Sequence, residues 1–237
     1  MSVFRTQITV DIHDVDFNGV ARFSSLMRYI QAAAQNQLTE SGLSYEELKA
    51  KNRAFIISRI KVEFEIPVRA YDRLEAVSFP CHSRGYSFLR CYELESDGEP
   101  IARAISAWAL VDTDSRALVR VKDFNLGLPL LPALPLALSR ISVPADIVDV
   151  GKYGVHYGDV DQNMHMNNTK YPDMYSNFLP LKNKMITRIN ISYLNEAAIG
   201  DKLQIMRACQ NDVFYFRTVR GDGMVNSEAE IQLRDLP

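Results

Sequence analysis

The same succession of motifs occurs twice in this chain of 237 residues, and this internal repeat limits the folds that the chain can adopt. An Asp-Val-Asp tripeptide at residues 14–16 is followed by an asparagine at position 18, and the pattern recurs 145 residues later at 159–163. In each copy an amphipathic run comes next, with apolar residues at i, i+3, i+4 and i+7, the spacing of one helix face. The repeat therefore predicts two similar structural units.

The two amphipathic runs are each predicted to form a long helix. Their apolar faces consist of Phe23, Leu26, Met27 and Ile30 in the first copy and of Tyr171, Met174, Tyr175 and Phe178 in the second. The first helix is expected to continue to about Ser41, where Gly42 can end it, and a short helix capped by Ser44 is expected at 45–51. Because the second run lies 148 residues after the first, the second copy has three extra residues in its loop.

Antiparallel strands are predicted around each helix. Alternating apolar residues at 60–66 indicate a strand with one buried face, and the segment 59–64 recurs 129 residues later at 188–193. The other predicted strands are 3–12, 73–82, 85–95 and 101–112 in the first unit and 202–209, 213–220 and 224–234 in the second. Each unit is thus predicted to be a strand, a long helix and four further strands.

A five-stranded antiparallel sheet wrapped around each helix would bury its apolar face, and two such sheets can pair edge to edge with both helices inside. This is the geometry of a double hotdog, so the predicted fold class is α+β, a tandem hotdog of two units. We expect an N-terminal hotdog at 1–120, a linker at 121–149 and a C-terminal hotdog at 150–237. Prolines interrupt a leucine-rich stretch within this linker, which indicates that it lies along the protein surface.

Composition excludes several classes of protein. A hydrophobic content of 47%, a charged content of 24% and a net charge of −2 are ordinary for a soluble globular protein and give no case for nucleic-acid binding. No apolar run approaches the ~20 residues of a membrane span, and the N-terminal residues lack the apolar core of a signal peptide. Three cysteines and four scattered histidines show no metal-like spacing. We therefore expect an unprocessed cytoplasmic protein without a metal or cofactor.

The loop of the second copy concentrates polar side chains immediately before the predicted helix. Asp161, Asn163 and His165 occupy every second position, and Asn167 and Asn168 follow. Free backbone N–H groups and the positive end of a helix dipole can stabilise negative charge at such a place. The alternative is a turn whose Asn and Asp residues serve only as helix caps.

The two copies differ in their reactive groups. The acid and the amide of the loop occur in both, whereas His165 aligns with Val20 and Glu196 aligns with Pro67. An acid, an amide, an imidazole and a second acid therefore occur together only in the second copy. We infer that residues 150–237 supply catalytic groups and that residues 1–120 supply structure and much of the binding pocket, the alternative being neutral drift.

The loop also resembles a family signature. Residues 161–171, Asp-Gln-Asn-Met-His-Met-Asn-Asn-Thr-Lys-Tyr, resemble the D-x-N-x-H-x-N-N-x-K-Y motif of acyl-acyl carrier protein (acyl-ACP) thioesterases. Residues 193–197 resemble the family's second motif, Y-R-R-E-C, but differ at Leu194, Asn195 and Ala197. No sulfur is present at the last position, so a cysteine nucleophile cannot operate there. The resemblance covers nearly the whole chain and implies a bacterial member with a double hotdog fold.

The resemblance implies hydrolysis of fatty acyl-ACP to free fatty acid and acyl carrier protein by an attacking water molecule. Glu196 and His165 are the candidate base and its partner, since water needs a positioned base near neutral pH. Asn163 would hold the water or the carbonyl. Asp161 would orient Asn163 or His165, act on water directly, or form a covalent acyl-enzyme. Which carboxylate takes the proton stays open.

Other parts of the site are predicted more loosely. Backbone N–H groups around Asn167 and Asn168 could bind the oxyanion. The residues expected to line an acyl tunnel, unless they are simply core, are Met27, Ile30, Gln31 and Ala34. Because acyl carrier protein is acidic, a basic docking patch is expected, and the candidates are Arg84, Arg90, Lys182, Lys184 and Arg188.

The resemblance and the residues leave several alternatives open. The chain could hydrolyse acyl-CoA instead of acyl-ACP, act as a hotdog dehydratase, or bind acyl groups without catalysis, because the fold alone does not choose among these. The chain could be a monomeric pseudo-dimer or a homodimer. No nucleic-acid partner and no membrane span are expected.

Overall fold

The computed structural model describes residues 3–237, which form one continuous antiparallel sheet and three α-helices of unequal length. The first half contains β1 (Phe4–Thr9), α1 (Phe23–Glu40), α2 (Tyr45–Lys49), β2 (Arg53–Phe64), β3 (Arg73–Pro80), β4 (Phe88–Ser96), β5 (Glu99–Asp112) and the two-residue β6 (Leu118–Val119). The second half contains β7 (Val148–Gly154), α3 (Tyr171–Ser176), β8 (Lys184–Tyr193), β9 (Lys202–Gln210), β10 (Val213–Val219) and β11 (Val225–Asp235).

The sheet order is β1-β3-β4-β5-β2-β8-β11-β10-β9-β7, with β6 paired to β5, so each half contributes five strands to the main path. The halves meet where β2 and β8 pair antiparallel. Ile60 lies opposite Ile191 and Val62 opposite Ile189, and all four side chains are buried in the common core. These pairs fuse the two units into one sheet, and the predicted double hotdog is confirmed.

Helix α1 follows the predicted boundaries closely. Its buried face includes Phe23, Leu26, Met27 and Ile30, as the apolar spacing predicts. The short helix α2 begins with the predicted capping box, in which Ser44 accepts from the Glu47 N–H and the Glu47 side chain accepts from the Ser44 N–H. Satisfying these otherwise unpaired donors fixes the start of α2.

The prediction of a second long helix is wrong. Helix α3 has 6 residues, whereas α1 has 18. Tyr171, Met174 and Tyr175 are buried as their spacing predicts, but the helix ends before Phe178. The nearby Pro180 disfavours helical conformation in the residue before it, and β8 begins only four residues later. Periodicity identified the buried face correctly but did not give the helix length.

The repeated loop has the same backbone structure in both halves. The Asp16 N–H donates to the Val20 carbonyl at 2.8 Å, and the Asp161 N–H donates to the His165 carbonyl at 3.0 Å. The correspondence of 145 residues continues as far as Asn167, whose bond to a carbonyl matches that of its counterpart. The three extra residues of the second copy are therefore the short 3-10 turn Asn168–Lys170. His165 thus occupies the backbone position of Val20.

The leucine-rich linker packs on the face of the first-half sheet opposite α1. Side chains alternate between the two faces of a strand, and Val77 and Phe79 point away from the main core. The linker leucines that pack against this outer cluster are Leu131, Leu134, Leu136 and Leu138. The Leu131 N–H also donates to the Pro80 carbonyl at 3.0 Å. The linker therefore lies along the surface, and β7 begins at Val148, inside the predicted linker range.

No helix within residues 3–237 is long and apolar enough to cross a membrane.

The packing of α1 predicts the effect of a cavity-creating substitution. Met27 is fully buried at the centre of the core, so Met27→Ala is expected to lower the free energy of unfolding by about 2–5 kcal/mol. The exposed Gln35 of the same helix supplies the control, and Gln35→Ala is expected to have little effect. Urea unfolding followed by circular dichroism measures both values, and equal small losses would contradict the assigned core.

Candidate active site

His165 and Glu196 meet although they are 31 residues apart in the chain. Their Nε2 and Oε2 atoms are 3.3 Å apart, with 39% and 58% of the side chains exposed. The Met166 N–H donates to the Ala197 carbonyl at 2.8 Å, so the second-half loop runs beside the segment after β8. An exposed pair of this kind contributes little to stability, but it is open to an incoming substrate.

Asp161 shapes the loop that carries the histidine. Its Oδ1 accepts from the Asn163 N–H at 2.8 Å, and Asp16 makes the same bond to Asn18 in the first half. The bond closes a tight Asx turn. Asp161 therefore fixes the backbone of Asn163, and the same bond in the first half shows that it belongs to the turn common to both copies. The role of Asp161 in a reaction stays a prediction.

The first half contacts the second-half loop through two hydrogen bonds between side chains. The Tyr45 hydroxyl, at the first residue of α2, donates to Asn163 Oδ1 at 3.0 Å. The Gln31 Nε2 of α1 donates to Asn168 Oδ1 at 2.8 Å. With Oδ1 of Asn163 occupied, its amide NH₂ is the group left to donate to a bound ligand. The site is therefore built from both halves.

Asn167 caps the short turn that follows. Its Oδ1 accepts from the N–H and the hydroxyl of Thr169, at 2.9 and 2.8 Å. Its own N–H donates to the Asp159 carbonyl at 2.8 Å and is therefore not available to an oxyanion. The predicted oxyanion role is wrong for the Asn167 N–H, and for Asn168 it stays a prediction.

A buried polar network supports the segment that leads to Glu196. Asn226 is fully buried, donates to the Tyr171 hydroxyl and to the Asn195 carbonyl, and accepts from the Thr218 hydroxyl at 2.9 Å. Burial raises the pKa of Tyr171 to about 12, so its hydroxyl stays neutral. The backbone immediately before Glu196 is therefore held by a satisfied amide.

Arg220 also holds the backbone at Glu196. Its Nη1 donates to the Glu196 carbonyl at 2.8 Å, and its Nη2 lies 2.7 Å from Asp222. Neither Arg220 nor Asn226 belongs to a sequence motif, so sequence reasoning missed both. The only signal in the sequence was their place in the predicted β10–β11 hairpin, with Arg220 at the turn and Asn226 on β11.

The predicted tunnel residues have different environments. Met27 and Ala34 lie in the main core, and Gln31 bonds to the site loop. Ile30 lines a small gap between α1 and the first-half sheet, together with Leu26. A role of these residues in binding an acyl chain therefore stays a prediction, with Ile30 best placed for it.

Most cations of the predicted basic patch already contact other groups of the protein. Arg90 is buried, and its guanidinium donates to Gln37 at 2.6 Å and to Ser78 at 2.8 Å, so it cannot dock a partner. Lys184 lies 2.6 Å from Asp235, and Arg188 lies 3.1 Å from a glutamate on β11. Most of these cations are therefore neutralised or buried.

Within residues 3–237, no group of three or more His, Cys, Asp or Glu side chains is placed to hold a metal ion.

Within residues 3–237, two hotdog halves and one His–Glu contact define a double-hotdog protein with a polar site in its second half. Family models for the N-terminal and C-terminal domains of acyl-ACP thioesterases match residues 1–125 and 145–235. The chain therefore belongs to the acyl-ACP thioesterase family.

Individual relatives share less than 30% sequence identity with this chain. The chloroplastic palmitoyl-acyl carrier protein thioesterase of Arabidopsis thaliana is 24% identical over 228 residues, which cover 87% of this chain and 55% of that protein. The acyl-CoA thioester hydrolase YbgC of Escherichia coli is 28% identical over 88 residues, covering 37% of this chain and 66% of that one. The chain spans about half the length of the plant relative.

The fold is shared with a solved bacterial structure. An acyl-ACP thioesterase from Bacteroides thetaiotaomicron VPI-5482 superposes with a TM-score of 0.90 and 20% identity, covering 98% of both chains.

The buried network predicts a structural effect near the site. Asn226→Leu would remove the donor of the Asn195 carbonyl and of the Tyr171 hydroxyl, at an expected cost of about 1–3 kcal/mol in unfolding free energy. Asn36→Leu, on the exposed face of α1, is the control and is expected to be nearly neutral. A thermal or urea denaturation series compares them; a neutral Asn226→Leu would exclude the supporting role.

Proposed function

We propose that the protein hydrolyses fatty acyl-ACP thioesters to free fatty acid and acyl carrier protein. The observation that carries the proposal is the His165–Glu196 contact of 3.3 Å, beside Asn163 and present in the second half alone. Family membership supports the substrate class. A thioester needs an activated water molecule and a donor for the oxyanion, and these side chains can supply both.

The proposed reaction begins with a water molecule held at the His165–Glu196 pair. The pair takes a proton from the water while its oxygen forms a bond to the thioester carbonyl carbon. The Asn163 NH₂ donates to the oxygen that becomes negative. The C–S bond then breaks, the proton passes to the departing sulfur, and the fatty acid is released. Asp161 keeps its place in the loop turn and forms no bond to the substrate.

Tyr45 acts in this scheme as a positioning residue. Its hydroxyl occupies Asn163 Oδ1, which turns the amide NH₂ toward the substrate side. The residue that orients the donor therefore comes from the first half, whereas the donor and the His–Glu pair come from the second. This arrangement supports the proposed division of labour between residues 1–120 and 150–237.

The carrier is the least constrained part of the proposal. The family models and the Arabidopsis relative are named for acyl-ACP, whereas YbgC is named for acyl-CoA. Hydrolysis of acyl-CoA is therefore the second candidate function, since it needs the same site and a different carrier. Steady-state assays on both carriers at matched acyl length separate the two, and equal or better turnover of the CoA ester would contradict the assignment to acyl-ACP.

The cytoplasmic location, the bacterial source and the oligomeric state expected from the sequence stay predictions.

Removal of either member of the pair is expected to abolish most activity. General acid–base catalysis contributes about 10²–10⁴-fold, so His165→Ala and Glu196→Gln should each lower kcat by about that factor. Thiol release from acyl-ACP, followed with a thiol-reactive dye, measures the loss. His82→Ala is the control because His82 is exposed and lies in the first half. Near-wild-type rates in both site variants would leave a non-catalytic acyl-binding role as the better account.

Loss of the Tyr45 hydroxyl is expected to be milder and to act through Asn163. Tyr45→Phe removes one hydrogen bond worth about 0.5–1.5 kcal/mol, so kcat should fall about 2- to 10-fold with KM unchanged. In a double-mutant cycle, Tyr45→Phe should add nothing to the loss caused by Asn163→Ala. The exposed Tyr71 provides the matched control, Tyr71→Phe. Additive losses in the cycle would exclude a positioning role.

A further inference from the structure

A cavity of about 500 Å³ lies at the first-half counterpart of the candidate active site. Asp16 and Val20, which correspond to Asp161 and His165, both line it. Ile66 and Val68, on either side of the position that corresponds to Glu196, line it as well. The cavity volume is within the range of small-molecule sites, about 300–1,000 Å³. The correspondence between the halves therefore places a cavity large enough for a small molecule at the counterpart of the candidate active site.

The same kind of contact between the halves builds this second site. The Asn18 Nδ2 donates to the Leu181 carbonyl at 2.8 Å and to the Lys184 carbonyl at 3.2 Å. Its Oδ1 accepts from the Asn183 N–H at 3.1 Å. In the candidate active site, Asn163 likewise reaches the segment that follows the helix of the other half. Asn18 is a structural link here, because its side chain makes three hydrogen bonds to the backbone of the other half.

The reactive groups of the second site have been replaced by apolar ones. Val20 occupies the position that corresponds to His165, and Pro67 occupies the position that corresponds to Glu196. The walls are completed mainly by apolar side chains from both halves, among them Phe17, Ile66 and Met185. Such a lining favours a hydrocarbon chain and lacks the His–Glu pair that the proposed reaction uses to activate water.

We propose that this cavity binds the hydrocarbon tail of a second fatty acid, which the protein holds without hydrolysing it. The choice of ligand rests on the proposed function, because the site is the structural twin of the one assigned to a fatty-acyl thioester. Arg22 also lines the cavity and supplies a cation for a carboxylate, whereas the lining Lys184 is paired with Asp235 at 2.6 Å. Of the two lining acids, Asp16 is engaged by the N–H groups of its own loop, and Asp173 is half-buried.

The cavity is distinct from the small gap between α1 and the first-half sheet. Leu26 and Phe64 line both, so their side chains form the wall between them. The small gap has no room for a water molecule, whereas the larger cavity does. In this geometry an acyl chain in the larger cavity enters from the Phe17 and Ile66 side, where both side chains are exposed, and not from the His165–Glu196 side.

Equilibrium dialysis of the full chain with radiolabelled laurate tests the proposal. Ile66 is 48% exposed, so Ile66→Asp should fold while placing a carboxylate in the apolar wall. Ile66→Trp fills the cavity without adding charge. It therefore separates loss of space in the cavity from the effect of an added carboxylate. Ile56, on β2 and 41% exposed, supplies the matched control, Ile56→Asp. Thermal unfolding of each variant confirms that it is folded.

The wild-type protein and Ile56→Asp are expected to bind one laurate more per chain than either Ile66 variant, or to bind one laurate about tenfold more tightly. Thiol release from acyl-ACP should be unchanged in the Ile66 variants. Equal laurate binding by all four proteins would overturn the proposal. A changed acyl-length preference with an unchanged number of bound laurates would also overturn it, because the cavity would then be the end of the substrate tunnel. If the wild-type protein hydrolyses no thioester, the proposed function fails, yet the laurate comparison still decides whether the cavity binds.

Discussion

The pairing of β2 with β8 is the interaction on which the rest of the structure depends. Antiparallel pairs from Arg59 opposite Ser192 to Glu63 opposite Arg188 join two five-stranded halves into one sheet. The buried side chains along this junction form one core with α1 and α3, so the halves cannot separate without exposing apolar surface. This junction also holds the helices of the first half against the loop of the second. A site assembled from both halves follows directly from it.

The fold offers two equivalent sites, but the side chains make them different. The backbone bonds of the loop recur in both halves, including the left-handed residue, which is Gly19 in one copy and Met164 in the other. A non-glycine residue in that conformation is uncommon, so the second copy keeps its strained turn alongside the His–Glu pair. The shared backbone supplies shape, and chemistry depends on His165 and Glu196. Fold similarity alone would therefore describe both sites equally well and would not show which of them carries the chemistry.

Much of this could be predicted from the sequence, and the failures have physical causes. The repeat predicted the double hotdog, and alignment of the copies identified Glu196 as the partner of a histidine far away in the chain. The length of α3 could not be predicted from an apolar period, because that period marks the buried face and not the point, Ser176, at which the helix ends. The contacts made by Tyr45 and Asn226 depend on tertiary packing between segments far apart in sequence. No local pattern signals such contacts.

The central claim is that one of two structurally equivalent sites carries the chemistry, and the pair of equivalent asparagines tests it most directly. The measurement is kcat for acyl-ACP hydrolysis by Asn163→Leu and Asn18→Leu, each normalised to the folded fraction. Loss of an oxyanion donor costs about 10²–10³-fold, so Asn163→Leu should lose that much kcat. Asn18→Leu should lower thermal stability, because three bonds to the other half are removed, and should retain the wild-type kcat. Equal losses of kcat in the two variants would contradict the account.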